Sequence, residues 1–95
     1  MDTREARAVA EEYAAGLRTR SYAVLVATLL DRQEIREVTA PSGVTYQIEA
    51  EAFWDARKGG DLRVMVAVDD GGWRAVAPLC ESFIVAPDGS FVDEG

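Results

Sequence analysis

The sequence contains no histidine, and its only cysteine is Cys80. Without histidine there is no imidazole to act as a general base or as a metal ligand. A single cysteine excludes an intramolecular disulfide and a thiolate-rich zinc site. We therefore predict that the chain is not an enzyme and that it holds no metal and no cofactor.

Long apolar runs and an excess of positive charge are also missing. No segment approaches the roughly 20 apolar residues that cross a bilayer, and the charged start over residues 1–5 has no apolar signal segment. Lys and Arg number 10 against 17 Asp and Glu, a net charge of -7, which disfavours nucleic acid or an anionic membrane as a partner. With one thiol and no export signal, we expect a cytoplasmic protein.

The residues that are present suffice for one small domain spanning residues 1–95. The hydrophobic fraction of 48% is well above that of a disordered chain. Arginine supplies nine of the ten basic residues, and alanine is abundant. We interpret this bias as that of a GC-rich bacterial genome, of the kind found in actinobacteria, and it carries no information about function.

Two helices are predicted in the first third of the chain. Over residues 3–18 the apolar side chains recur at helical spacing, and Asp2 with Glu5 fits a capping box. Over residues 21–31 the apolar positions also fit a helix, although part of this run would suit a buried strand. We favour a helix there because Ser21 can cap it and because alanine and leucine have high helix propensity.

After the second helix the apolar period changes to two, which is typical of half-buried strands. Helices followed by strands indicate an α+β fold, here two N-terminal helices packed on a curved antiparallel meander of four to five strands. The predicted strands cover residues 35–40, 44–55, 62–68 and 73–79, with a hairpin turn at 69–72, then a short strand over 83–86 and a last pairing at 91–92. The helices should cover the sheet face that carries Tyr46, Ile48, Trp54, Val64, Val66, Val68 and Trp73.

The opposite face of the sheet is predicted to carry an apolar row across three strands. This follows from a register in which Val68 lies opposite Trp73 and Trp54 lies opposite Val64. We interpret the row as the interface of a homodimer, or as a row that the C-terminal segment with Phe83 and Phe91 covers; a one-residue error in register would remove it. The predicted interface residues are Phe53, Met65, Val76, Arg63 and Glu51.

The polar side chains of the predicted strands suggest no reaction chemistry. Asp55 is expected to pair with Arg63 at the edge of the apolar row. Glu49 and Glu51 share one strand face, which is typical of a solvated surface rather than of an acid–base pair. Cys80 follows an apolar run, and without a histidine to deprotonate it we expect a buried structural thiol.

An alternative site is a pocket between the helices and the sheet. Four large aromatic side chains fall on the helix or sheet faces that would meet there, although aromatic residues at such positions most often form the core. The predicted pocket residues are Tyr22, Tyr46, Trp54 and Trp73.

Two segments carry a family pattern. Residues 12–31 combine small residues with Tyr13, Leu17 and Tyr22, and the run Gly72-Trp73-Arg74 follows a valine-rich strand. Both resemble segments of nuclear transport factor two-like (polyketide-cyclase-like) domains. The resemblance implies a curved antiparallel sheet around helices, dimers formed through the sheet face, and, in some members, a small apolar ligand. No catalytic residue is carried over, because the enzymatic members use a histidine that this chain lacks.

The sequence thus favours a non-catalytic interaction module that forms a homodimer through the outer sheet face. The alternative is a carrier of a small apolar ligand, or a vestigial enzyme, with its pocket between helices and sheet. A third hypothesis is an acidic partner for a basic protein, which the net charge of -7 permits.

Overall fold

The computed structural model describes residues 2–71 and 79–93. Two helices come first and five strands follow, as predicted for the α+β class. The elements are α1 (Thr3–Leu17), α2 (Tyr22–Leu29), β1 (Glu34–Thr39), β2 (Thr45–Trp54), β3 (Leu62–Asp69), β4 (Leu79–Val85) and β5 (Phe91–Val92).

Short polar side chains start both helices. The Asp2 carboxylate accepts hydrogen bonds from the backbone N–H groups of Arg4 and Glu5, at 3.0 and 3.2 Å. The Ser21 hydroxyl accepts one from the N–H of Val24 at 3.1 Å. These bonds satisfy N–H groups that have no partner within a first helical turn. The second segment is therefore a helix, which confirms the preferred interpretation.

The sheet is antiparallel throughout, with strand order β1-β2-β3-β4-β5, so that β1 and β5 form its edges. Helix α1 packs mainly on β3 and β4, and α2 packs mainly on β2. Alanines on the buried side of α1 let its backbone lie close to the strands. The inner face is fully buried at Tyr46, Ile48, Ala50, Ala52, Leu62, Val64, Val66 and Val68, beneath Ala6, Ala10, Ala14, Leu17, Leu25 and Leu29.

The register between strands differs from the prediction. Val68 pairs with Leu79 rather than with Trp73, and Trp54 pairs with Leu62 rather than with Val64. The turn signal at 69–72 suggested a tight hairpin that pairs Val68 with Trp73, but the described strand that pairs with β3 begins at Leu79. In each case the observed partner lies an even number of residues away from the predicted partner, so every side chain of β2 and β3 stays on its predicted face.

The strand that neighbours β3 is therefore β4, not the predicted strand over 73–79. Of that predicted strand only Leu79 lies within the described residues, where it starts β4. The short strand predicted over 83–86 is the second half of β4. Neither α1 nor α2 is long and apolar enough to cross a membrane, and no other helix is described.

Candidate functional site

The predicted interface residues lie on the outer face, but they do not form one row. Phe53 is 44% exposed and pairs with Arg63, whereas Met65 pairs with Glu51 and Ser82. The two-residue change of register thus makes Phe53 and Met65 diagonal neighbours, offset by two residues along the strands, instead of a directly opposite pair. Val76 lies outside the described residues. The expected ion pair is confirmed, since Arg63 Nε donates to Asp55 Oδ1 at 3.1 Å.

The described part of the C-terminal segment, residues 79–93, does not cover this face. Phe83 and Phe91 lie on the inner side of β4 and β5, where their rings make an edge-to-face contact with 5.9 Å between the ring centroids. Arg18 of the loop after α1 places its guanidinium 4.8 Å from the Phe83 ring. The alternative that these aromatic rings cover the apolar row is wrong, because β4 and β5 extend the sheet sideways instead of folding over it.

The outer face is acidic. Its strands carry four carboxylates against Arg63, and two copies stacked face to face would bring these charges together. A homodimer through this face stays a prediction, and electrostatics oppose it. The four carboxylates belong to Glu37, Glu49, Glu51 and Asp69.

The described members of the predicted pocket lie in the core or pack against it. The Tyr46 side chain is only 1% exposed, and its hydroxyl donates to Glu5 Oε1 at 2.8 Å. Tyr22 donates to the carbonyl oxygen of Gly60 at 2.7 Å, which ties α2 to the loop between β2 and β3. Trp54 is half-buried against the core, and Trp73 lies outside the described residues. None of these three side chains lines the groove described next.

A groove of about 340 Å³ does lie between helix and sheet, in a different place. It runs between α1 and β1, and we name it the α1–β1 groove. It exists because the helices pack over the middle of the sheet and leave the inner side of β1 open, with Val38 37% exposed. Gly16 widens it, since a Cβ added there would meet nothing within 4 Å. The lining residues are Val9, Glu12, Tyr13, Gly16, Leu17, Arg20, Val38 and Ile48.

One end of the groove is closed by a polar cluster around Glu34, the first residue of β1. Arg20 binds its carboxylate through two parallel hydrogen bonds, Nη1 to Oε1 at 3.1 Å and Nη2 to Oε2 at 3.0 Å. The Tyr13 hydroxyl donates to the same Oε2, and Arg36 Nη2 lies 3.8 Å from Oε1. The cluster therefore joins α1, the segment before α2, and the edge strand.

The protonation states in this cluster are fixed at neutral pH. Burial and the hydrogen bond to Glu34 raise the pKa of Tyr13 to about 12. The hydrogen bonds from Arg20 hold the pKa of Glu34 below its usual range, and those bonds in turn raise the pKa of Arg20. Glu34 is thus ionised and Tyr13 is neutral. The cluster can orient the polar end of a ligand, but it offers no proton that is exchanged near pH 7.

Sequence patterns do not reveal this cluster, because Tyr13, Arg20 and Glu34 are distant from one another along the chain. The one available signal was Glu34 itself. It has the same parity as Val38, so on a two-residue period it is a carboxylate on the inner side of its strand. A charge in that position requires a partner, and Arg20 provides it.

Cys80 differs from its prediction as well. The thiol is exposed, because position 80 of β4 points to the outer face, opposite Ala67. Within residues 2–71 and 79–93, no three Cys, Asp or Glu side chains come together as metal ligands.

Comparison of the chain with known protein families, with curated proteins and with solved structures finds no match. The resemblance to nuclear transport factor two-like domains therefore stays a prediction.

Proposed function

We propose that the protein is a non-catalytic binding module that holds a small, mainly apolar ligand in the α1–β1 groove. The observation that carries this proposal is the groove itself, an apolar trough of about 340 Å³ with a rigid polar cluster at one end. Its volume lies within the range of known small-molecule sites, about 300–1,000 Å³. An apolar wall with a few fixed polar groups is the common composition of such sites.

The apolar wall would supply most of the affinity. Val9 and Leu17 of α1 face Val38 and Ile48 of the sheet across the groove. Every 100 Å² of apolar ligand surface removed from water there would contribute about 2.5 kcal/mol. The wall is rigid, because Leu17 and Ile48 belong to the buried core.

The polar end would set the orientation of the ligand. A guanidinium has five N–H donors, and the described bonds of Arg20, to Glu34 and Thr28, use three of them. A hydrogen-bond acceptor on the ligand, such as a carboxylate, sulfonate or carbonyl oxygen, therefore suits this end. The two oxygens of Glu34 are already engaged by Arg20 and Tyr13.

The experiment uses the fluorescent probe 8-anilinonaphthalene-1-sulfonate, which combines an apolar ring system with an acceptor group. We expect saturable binding to the native chain. Gly16→Leu fills the groove with a side chain and should weaken binding about tenfold or more. Gly16→Ala is the matched control: it adds one methyl group to open space and should leave binding unchanged.

A second control separates the groove from the outer face, where Phe53 is exposed. Phe53→Asp should leave probe binding unchanged. The proposal is wrong if the native chain does not bind the probe, if Gly16→Leu binds as well as the native chain, or if Phe53→Asp abolishes binding. Circular dichroism of each variant confirms that the helices are intact.

Self-association through the outer face is the second candidate function, and exposed Phe53 is the observation in its favour. Under it, Phe53→Asp converts a dimer near twice 10.3 kDa into a monomer, as measured by light scattering behind a sizing column. A dimer that survives Phe53→Asp excludes this surface.

A further inference from the structure

Strand β1 lies at the edge of the sheet, and the backbone edge that faces away from β2 is open among the described strands. Of the described strands only β2 pairs with it, and five of its six residues are exposed. Ala40 donates its N–H to the carbonyl oxygen of Val44 at 2.8 Å, so this pair is a hydrogen-bonded one. Because hydrogen-bonded and non-hydrogen-bonded pairs alternate in an antiparallel ladder, Ile35, Glu37 and Thr39 direct their backbone groups away from β2.

These outward backbone groups form a template for another strand. The other edge, β5, offers only two residues. One of these backbone groups already accepts a hydrogen bond from a side chain: Arg36 Nη1 donates to the carbonyl oxygen of Ile35 at 2.9 Å. That contact confirms the outward direction of the Ile35 carbonyl group.

We propose that a second copy of this chain pairs with β1 in antiparallel fashion, about a two-fold axis at Ile35. The two five-stranded sheets would then form one sheet of ten strands. The dimer does not require the ligand proposed for the groove, because it is held by the backbone edge of β1, although Glu34 and Arg36 also belong to the polar cluster at the end of the groove.

Charge complementarity selects the register. Residues opposite each other must share a face, so the two-fold axis passes through one residue of β1. An axis at Arg36 places two arginines opposite each other, and an axis at Glu37 places two glutamates opposite each other. An axis at Ile35 places Glu34 opposite Arg36 of the second copy twice, and it joins two isoleucines that are each 50% exposed.

The backbone geometry agrees with this register. Ile35 directs its N–H and C=O outward, so the two copies of Ile35 would exchange both hydrogen bonds. The neighbouring pair of Glu34 and Arg36 is then of the non-hydrogen-bonded type, in which side chains are closest. Arg36 of each copy would exchange its own Ile35 carbonyl for the carboxylate of the other.

The electrostatics of the outer face favour the edge over a stacked arrangement. Pairing side by side keeps the carboxylates of Glu49, Glu51 and Asp69 on the two copies apart, whereas stacking brings them face to face. The edge thus gives a second copy attraction without that repulsion.

The test measures mass against concentration and then the register. Light scattering should give twice 10.3 kDa for the native chain at high concentration. Arg36→Glu should raise the dissociation constant about tenfold, because it places like charges opposite Glu34 in both pairs. Phe53→Asp is the control on the outer face and should leave the constant unchanged.

Cysteine cross-linking then tests the register in a Cys80→Ser background. Ile35→Cys should form a disulfide-linked dimer on mild oxidation, because Cα atoms in such a pair are about 5.5 Å apart. Glu37→Cys is the matched control on the same face. Its two copies would lie about 14 Å apart in this register and should not cross-link.

Three outcomes overturn the proposal. They are a chain that is monomeric at every concentration, a dimer that Phe53→Asp but not Arg36→Glu dissociates, and cross-linking through position 37 instead of position 35. Both cysteine substitutions are at exposed positions, so the variants should fold.

Discussion

The carboxylate of Glu34 should stabilise the fold more than any other charge in the described residues on β1. Glu34→Gln keeps the shape of the side chain and removes its charge. The carboxylate receives two hydrogen bonds from Arg20 and one from Tyr13, and its side chain is only 11% exposed. Hydrogen bonds to charged groups contribute about 1.5–3 kcal/mol each.

That range requires a reduction for solvent, because the Arg20 side chain is 30% exposed. We therefore expect Glu34→Gln to lower the free energy of unfolding by about 2 kcal/mol in total. For a chain of this size the melting temperature should fall by roughly 8–16 °C. The control is Glu37→Gln on the same strand, which is exposed and should change stability by less than about 0.5 kcal/mol.

The assay is urea unfolding followed by tryptophan fluorescence, at a concentration where light scattering shows a monomer. A double-mutant cycle with Arg20→Met should give a coupling free energy of about 1 kcal/mol or more. The effect should depend on pH. The Arg20 bonds depress the pKa of Glu34, so its stabilising contribution is present above the ordinary glutamate pKa and is lost as the pH falls through the depressed value.

Two results would refute this reasoning. One is a Glu34→Gln variant that unfolds at the same urea concentration as the native chain at pH 7. The other is a stability difference between the two that does not shrink on acidification.

Three further perturbations test other parts of the structure. Above pH 10 the chain should lose stability progressively up to about pH 12, because burial and hydrogen bonds to Glu34 and Glu5 raise the pKa values of Tyr13 and Tyr46 to about 12, so that folding favours the neutral phenols. Thermal melts of Tyr13→Phe and Tyr46→Phe should show a weaker decline of stability at alkaline pH. An unchanged decline in both variants would contradict this. Leu29→Ala should lower the free energy of unfolding in urea by about 2–5 kcal/mol, since this last side chain of α2 is fully buried against the sheet. A loss below about 1 kcal/mol would mean that the site collapses around the smaller residue. Asp2→Ala should cost about 0.5–2 kcal/mol by removing the cap of α1, and circular dichroism unchanged in both helicity and melting temperature would show that the cap is dispensable.

Sequence patterns predicted the helices and strands well, because each pattern depends on residues that are close together along the chain. The helical period and the caps at Asp2 and Ser21 define α1 and α2. The alternation over β2 and β3 assigns every inward side chain, and an error of two residues in pairing does not change a face. Turn signals were less reliable: the residues at 69–72 indicate a turn but do not encode which later residue pairs with β3, and Val68 pairs with Leu79.

The candidate site could not be predicted in the same way. Tyr46 and Trp54 looked like pocket residues because aromatic size is visible in the sequence, whereas burial is not. The actual groove depends on where α1 lies across the sheet, which leaves the inner side of β1 uncovered. The parity of Glu34 on its strand indicated a carboxylate on the inner face, but its partner Arg20 lies on another element.

The sequence by itself determined the fold class, the two helices, the inward faces of the central strands, and the absence of histidine chemistry, because each depends on residue type or on the period of neighbouring residues. Only the tertiary structure decided the strand register, the exposure of Cys80, the position of the α1–β1 groove and the meeting of Tyr13, Arg20 and Glu34. Those features depend on distances between segments that are remote along the chain, and such distances are set when the helices pack on the sheet.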